Sequence, residues 1–190
     1  MKTPATTEDR PLRADARRNR ERILSAAGEV FGAKGQEAQM DDVAAQAGVG
    51  VGTVYRHFPT KTALMGALVA QKFSQFADNG REALAIDDPW EAFSTCFRRN
   101  AELMAGDAGV QYVLMNIPNL LEYIAPEKAD LDEVTGELIG RAKRAGALRR
   151  DFDIRDFGMI MCGLCSTMGG DPAQFNWRRH VDILLDGLHT

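Results

Sequence analysis

The residues with the clearest chemistry stand close together near the N-terminus. They are Val51, Gly52, Thr53, Tyr55, Arg56, His57 and Lys61. The Arg56 guanidinium can pair with guanine O6 and N7, and hydroxyl, phenol and ammonium groups can bind phosphate oxygens. Val51 can contact a thymine methyl, and Gly52 has no side chain to hold the DNA backbone away. We therefore predict a DNA-binding surface here.

Two short helices joined by a turn are expected to position these residues. The pattern predicts one helix over Met40–Ala47, which Gly48 ends, and a second over Val51–His57, which Pro59 ends. The second helix has low intrinsic propensity, so packing must hold it. Residues 39–58 are thus predicted to form a helix-turn-helix, whose second helix enters a DNA major groove.

A longer helix is predicted on each side of this motif. The first begins at about Asp15 with an apolar stripe and ends at Lys34, and the other runs from the N-cap Thr60 to about Phe76. The first helix also carries an arginine-rich polar face, which includes Arg17 and can be either a solvated surface or a second DNA contact. Residues 1–13 are predicted to be disordered.

Composition and charge place limits on the class of protein. The 190 residues are 45% hydrophobic and 26% charged, as in ordinary globular proteins. The net charge is −4, but residues 1–61 hold 10 Lys and Arg against 8 Asp and Glu, so the basic part surrounds the proposed DNA site. No apolar run is long enough to span a membrane, no secretory signal precedes the first helix, and three cysteines suit a reducing cytoplasm.

The rest of the chain is predicted to be helical as well. Helical patterns cover residues 89–105, 109–115, 126–145, 154–168 and 175–188. No alternating strand pattern interrupts them. The sequence therefore predicts an all-α protein with a DNA-binding domain at 14–76 and a helical effector-binding and dimerisation domain at 77–190.

The first 76 residues closely resemble the TetR family of bacterial transcription regulators. The matching segments are Arg20–Leu24, Val30-Phe31, Gly35, Met40–Ala44, Ala47–Val49 and Gly52–Phe58, followed by Lys61. The resemblance implies a ligand-responsive regulator, most often a repressor, that binds palindromic DNA as a homodimer. Two positions depart from the family pattern, since Gln39 and Gly50 stand where hydroxyl caps are usual. Gln39 is kept as a candidate DNA contact.

Dimerisation is also expected because one short helix reads only a few base pairs, each discriminated by about 1–3 kcal/mol. The last two helices carry wide apolar faces that can form the interface. The candidate interface residues are Phe157, Ile160, Met161, Leu164, Val181, Leu184, Leu185 and Leu188. Burial within one chain is the alternative for part of these faces.

An apolar effector site is expected among the middle helices, where methionines and aromatics recur. The candidate residues are Phe73, Phe97, Asn100, Met104, Tyr112, Met115, Asn116 and Tyr123. Ordinary core packing is the competing interpretation for each of them.

A second class of function uses the Cys162/Cys165 pair, whose spacing occurs in redox and metal sites. The pair lies in an apolar helical segment, which favours packing over chemistry. The sequence shows no phosphate-binding loop and no nucleophile motif, so we predict a regulator rather than an enzyme, with no metal and no cofactor. A purely architectural DNA binder would not need the large acidic helical part.

Overall fold

A computed structural model describes the backbone of residues 9–170 and 175–190, and the side chains of residues 15–170 and 175–190. Within these ranges the chain forms ten α-helices and no β-strand, as predicted for an all-α protein. They are α1 (Asp9–Lys34), α2 (Met40–Ala47), α3 (Val51–His57), α4 (Lys61–Leu84), α5 (Pro89–Ala105), α6 (Ala108–Asn116), α7 (Leu120–Tyr123), α8 (Ala125–Arg144), α9 (Ile154–Met168) and α10 (Trp177–Leu188). The four-residue helix α7 was not predicted.

Packing from α1 and α2 holds the short helix α3 in place. Val54 of α3 is fully buried, and Phe58 just after it is 3% exposed. The Arg20 guanidinium lies 5.2 Å from the centroid of the Phe58 ring, and Arg22 donates a hydrogen bond of 2.5 Å to the Ala47 carbonyl at the end of α2. Two arginines of α1, Arg20 and Arg22, therefore stabilise the helix-turn-helix.

The first helix starts earlier than the sequence pattern indicates. Helix α1 includes residues 9–13, which were expected to be disordered, while residues 1–8 lie outside the described part. Pro11 falls in the first turn, where proline is tolerated because that N–H has no partner within the helix.

Helix α4 continues past the predicted end near Phe76 to Leu84. Gly80 lies inside the helix, and a Cβ there would be 2.5 Å from Val134 Cγ1 of α8. The glycine thus allows two helices to approach closely. The predicted domain boundary at residue 76 consequently falls within one continuous helix.

An even closer contact joins α1 to α6. A Cβ added at Gly109 would lie 2.1 Å from the Gly28 carbonyl oxygen, and one added at Gly32 would lie 3.1 Å from the Gly109 nitrogen. Beside this contact, Lys72 and Asp107 form an ion pair of 2.9 Å, with only 11% and 19% of their side chains exposed. Helices α1, α4 and α6 are therefore tied together at this point.

A second core lies at the far end of the molecule, between α5, α8, α9 and α10. Phe93 is central to it, with ring centroids of Phe97, Phe152 and Phe157 at 6.3, 5.8 and 6.4 Å. The C-terminus closes this end, where an isolated antiparallel bridge pairs His189 with Leu148.

Substitution of Gly109 by alanine should destabilise the protein, because the new methyl group meets the Gly28 carbonyl at backbone positions that cannot move aside. We expect a loss of at least about 2 kcal/mol in the free energy of unfolding, measured by urea titration. Gly136→Ala on α8 is the matched control, since a Cβ there meets nothing within 4 Å. It should keep or raise stability, by up to about 1 kcal/mol. Equal midpoints for Gly109→Ala and the wild type would contradict the close contact.

Candidate DNA-binding surface and ligand cavity

Helix α3 presents most of its predicted DNA-binding residues on one exposed side. Val51, Gly52, Tyr55 and Arg56 are exposed, whereas Val54 faces the core. The spacing of one, four and five residues places the exposed four on a common face. The Tyr55 side chain is 49% exposed, so its phenol is not part of the core. Among the described residues, Arg56 forms no ion pair.

The glycines at the start of α3 are not required by contacts within the chain. A Cβ added at Gly50 or at Gly52 would meet nothing within 4 Å, and both have ordinary negative φ angles. Gly52 lies inside the helix, where alanine would be favoured by about 1 kcal/mol. Contacts within the described part of the chain therefore do not explain why a glycine stands at this position.

The remaining predicted DNA contacts lie around this face with different degrees of freedom. Thr53 and His57 are half-buried, whereas Gln39 is exposed at the start of α2. Lys61 donates a hydrogen bond of 3.1 Å to the Gln36 carbonyl, so it also stabilises the motif. Arg17 is 77% exposed and lies 3.7 Å from Glu21 on the surface of α1.

Asp42 stabilises the start of α2 in place of a hydroxyl cap. Its carboxylate accepts a hydrogen bond of 2.8 Å from the Gln39 backbone N–H and pairs with Lys34 at 2.7 Å. These contacts, led by Lys34, lower the pKa of the Asp42 carboxyl. The Gln39 amide is turned toward the Glu37 carbonyl instead. The departure from the usual cap is thus compensated within the chain.

A cavity of about 640 Å³ lies between α4, α5, α6, α8 and α9. This volume suits a small molecule of ordinary drug size. Its wall is mainly aliphatic, aromatic and sulfur-containing. The apolar residues that line it are Phe73, Phe76, Met104, Leu114, Met115, Ile117, Leu120, Leu121, Leu131, Ile154, Phe157, Met159 and Met161.

Four of the predicted effector residues line this cavity: Phe73, Asn100, Met104 and Met115. The other four lie elsewhere. Phe97 packs against Phe157 in the second core, with centroids 5.4 Å apart. Tyr112 packs against Gly35 at the end of α1, Asn116 donates to the Tyr112 carbonyl, and Tyr123 is 67% exposed. The sequence shows aromatics at helical spacing, but it does not show which of two cores each one enters.

Residues that were predicted to have other roles also line the cavity. Phe157 and Met161, predicted at a dimer interface, line it, and so do Cys162 and Cys165. Burial, followed by the nearby Cys162, raises the pKa of the Cys165 thiol to about 11, so this thiol stays protonated at neutral pH. Among the described residues, no three His, Cys, Asp or Glu side chains are grouped to hold a metal ion.

Most of the predicted dimer residues are buried within the chain, as the alternative interpretation expects for part of these faces. Phe157, Met161, Leu164, Val181, Leu185 and Leu188 are all 8% exposed or less, because α9 and α10 use them to pack onto the second core. Only Ile160 and Leu184 are partly exposed. The outward side of these helices carries different apolar residues, with Met159 66% and Ile183 53% exposed.

Comparison with known families identifies this arrangement. Residues 23–68 match the family model described as "Bacterial regulatory proteins, tetR family". Residues 88–190, more than half of the chain, match "Transcriptional regulator SbtR-like, C-terminal domain". The chain belongs to the TetR family. Both family models describe regulators, in agreement with the resemblance of the first 76 residues.

Solved structures and curated relatives agree with this assignment. A TetR regulatory protein from Mycobacterium vanbaalenii is 35% identical, with a TM-score of 0.68 over 95% of this chain and 100% of that one. FadR from Bacillus subtilis, whose structure is described as a complex with stearoyl-CoA, has a TM-score of 0.73 over 87% of this chain and 95% of its own. At 20% identity it shows the shared fold alone.

Among curated proteins, the regulator TtgW of Pseudomonas putida is 38% identical over 84 residues, which are 44% of this chain. The matched region spans 63% of TtgW and 39% of SrpR from the same species, so the chain covers less than two thirds of these relatives. In the described part of this TetR-family chain, the helices are too short or too polar to cross a membrane.

Replacing Gly52 by alanine should separate DNA binding from folding. Because nothing in the chain occupies the space of the added methyl group, stability should stay equal or rise by up to about 1 kcal/mol. Operator affinity should fall by about tenfold, since the methyl group holds the DNA backbone away. Fluorescence anisotropy measures this affinity, with an operator selected from randomised DNA. Gly136→Ala is the control, a glycine-to-alanine change away from α3. Unchanged affinity in Gly52→Ala would exclude a close DNA approach at this residue.

Proposed function

We propose that this protein is a ligand-responsive repressor that binds a palindromic operator as a homodimer and is released by a small apolar effector. The observation that carries the proposal is the exposed side of α3. There Tyr55 and Arg56 lie one turn after Gly52, an exposed glycine that the described packing of the chain does not require. On this proposal Arg56 contacts base edges, whereas Tyr55, Thr53 and Lys61 contact phosphates.

Two helices provide a route from the cavity to the DNA-binding helices. Helix α4 begins beside α3 and contributes Phe73 and Phe76 to the cavity wall. Helix α6 contacts α1 at Gly109 in its first turn and contributes Leu114 and Met115 to the same wall. A ligand that displaces either wall would move α1 or α4 with it. We propose that this movement changes the separation of the two α3 helices in the dimer.

Coupling of about 1–3 kcal/mol between ligand and DNA would give a 5- to 150-fold response in operator affinity. Rigid connections favour such coupling, because packed helices shift as units rather than deforming. The Lys72–Asp107 pair, which joins α4 to the start of α6, supports joint movement of these two helices.

The outward side of α9 and α10 supports dimerisation. Met159 and Ile183 are exposed apolar residues there, and Gly163 and Gly187 are exposed glycines at which a Cβ would meet nothing within 4 Å. Small residues on helix surfaces allow another helix to approach closely. We propose that this side, rather than the buried faces predicted from sequence, contacts the second copy.

Arg56→Ala should relax sequence preference at one base pair in each half-site. Loss of a bidentate contact to guanine is expected to cost about 1–3 kcal/mol against the preferred base and little against the others. Selection from randomised DNA, carried out with wild type and variant, compares the two preferences. Lys61→Ala is the comparison variant, since loss of a phosphate contact should weaken binding to all DNA sequences alike. An unaltered preference in Arg56→Ala would contradict base reading by this residue.

Ile183→Glu should convert the dimer to monomers, because a buried carboxylate without a partner is costly at an apolar interface. Sedimentation velocity should show the smaller species, and binding to a two-half-site operator should fall at least about tenfold. Ala129→Glu adds the same charge at an exposed position of α8 and should leave both properties unchanged. A dimeric Ile183→Glu variant would place the interface elsewhere.

A further inference from the structure

The cavity wall contains a threonine whose hydroxyl has no hydrogen-bond partner. Thr135 on α8 is 1% exposed, and its Oγ1 is the one buried side-chain nitrogen or oxygen without a partner in the described part of the chain. A buried hydroxyl normally forms a hydrogen bond, since leaving it without one costs free energy. Threonine in a helix adopts two χ1 rotamers, so rotation about one bond can turn this hydroxyl toward a ligand.

A second buried polar group in the wall has a hydrogen-bond donor to spare. Asn100 on α5 is also 1% exposed, and its Oδ1 accepts a hydrogen bond of 2.9 Å from Asn79. Its Nδ2 donates only to the Cys96 sulfur at 3.7 Å, among the described residues, and thiol sulfur is a weak acceptor. The wall thus offers two neutral donors, one amide and one hydroxyl, to an incoming oxygen.

The charged residues of the cavity do not favour an anion. Lys128 and Asp132 pair with each other and are 38% and 37% exposed. Arg155 and Glu122 are exposed and carry opposite charges. The charges therefore balance, and all four lie nearer to solvent than Asn100 and Thr135. A carboxylate or phosphate placed beside the two buried groups would have no cation there, which is costly.

From these contacts we infer that the effector is an uncharged molecule with an apolar body and one hydroxyl or ketone oxygen, which Thr135 and Asn100 bind. The inference rests on the proposed function, because it specifies the ligand of the same cavity. The aliphatic and aromatic wall takes the apolar body, and the volume of about 640 Å³ limits its size. Fatty acids and coenzyme A thioesters are disfavoured. A fatty acid would place its carboxylate beside two buried groups where the described part of the chain has no cation, and a coenzyme A thioester would place its phosphates among charged residues that already balance each other.

A panel of twelve-carbon compounds tests the end group directly. Diphenylhexatriene, a fluorescent hydrocarbon without hydrogen-bonding groups, reports occupancy of the cavity of the full-length protein. The competitors are 1-dodecanol, dodecan-2-one, dodecanoate and dodecanoyl coenzyme A. The alcohol and the ketone should displace the probe at lower concentrations than the two anions. Stronger competition by either anion, or failure of the hydrocarbon probe to bind, would overturn the inference.

Variants at position 135 separate the hydrogen bond from packing. Thr135→Val keeps the shape and removes the hydroxyl, so the alcohol should bind about 2- to 13-fold more weakly, the range expected for one net hydrogen bond. Thr135→Ser keeps the hydroxyl and should restore most of the affinity. Diphenylhexatriene should bind all three proteins alike, which shows that the cavity is retained. Equal affinity of the alcohol for wild type and Thr135→Val would refute the role of this residue.

The same proteins keep this inference separate from the proposed function. Operator binding, followed by anisotropy, should be equal in wild type and Thr135→Val, and 1-dodecanol should release the wild type at lower concentrations than the valine variant. Absence of any operator binding would refute the proposed function while the displacement result stands by itself. If both proteins bind the operator and the same concentration of 1-dodecanol releases wild type and Thr135→Val, the ligand assignment alone is refuted.

Discussion

The contact between Gly28 of α1 and Gly109 of α6 is the constraint on which the rest of the structure depends. At this point two helix backbones approach so closely that a single added carbon would overlap a carbonyl oxygen. The DNA-binding helices are fixed to α1 by their shared core, and the cavity wall is partly made by α6. Neither end can move far without the other, since close-packed backbones have little freedom to deform. The half-buried ion pair of Lys72 and Asp107 extends the same connection to α4.

Local sequence signals were sufficient for most helices because caps and apolar periodicity act within a few residues. Helices α5 and α9 begin and end as predicted, where Asp88 and Asp153 cap their first turns. The same reasoning ended α4 too early, near Phe76, although the helix continues through Gly80 to Leu84. The role of Gly80 depends on Val134, more than fifty residues away, against which it packs. Such a contact leaves no local trace in the sequence.

The candidate sites were predictable to different extents for a physical reason. The proposed DNA-binding residues depend on a short motif with fixed spacing, so Tyr55 and Arg56 could be assigned to an exposed face. The cavity and the dimer surface depend on which side of each helix meets which neighbour. Apolar residues look alike in this respect, as Phe97 and Phe157 illustrate: they touch each other, yet only Phe157 reaches the cavity. Thr135 was missed altogether, because a threonine inside a helix gives no sign of an unpartnered hydroxyl until its surroundings are known.

Helix α3 combines a weak local preference for helix with a strong tertiary environment. Val54 and Phe58 anchor it, and Arg20 and Arg22 reinforce the surrounding turns, so its exposed side contributes little to folding. Core packing therefore does not restrict which residues stand on that side, and glycines and polar residues are tolerated there. The cavity shows the opposite condition, since Thr135 leaves a polar group unsatisfied inside the fold. Both features impose a free-energy cost that nothing in the described part of the chain offsets, and both are expected if, as proposed, α3 binds DNA and the cavity binds a ligand.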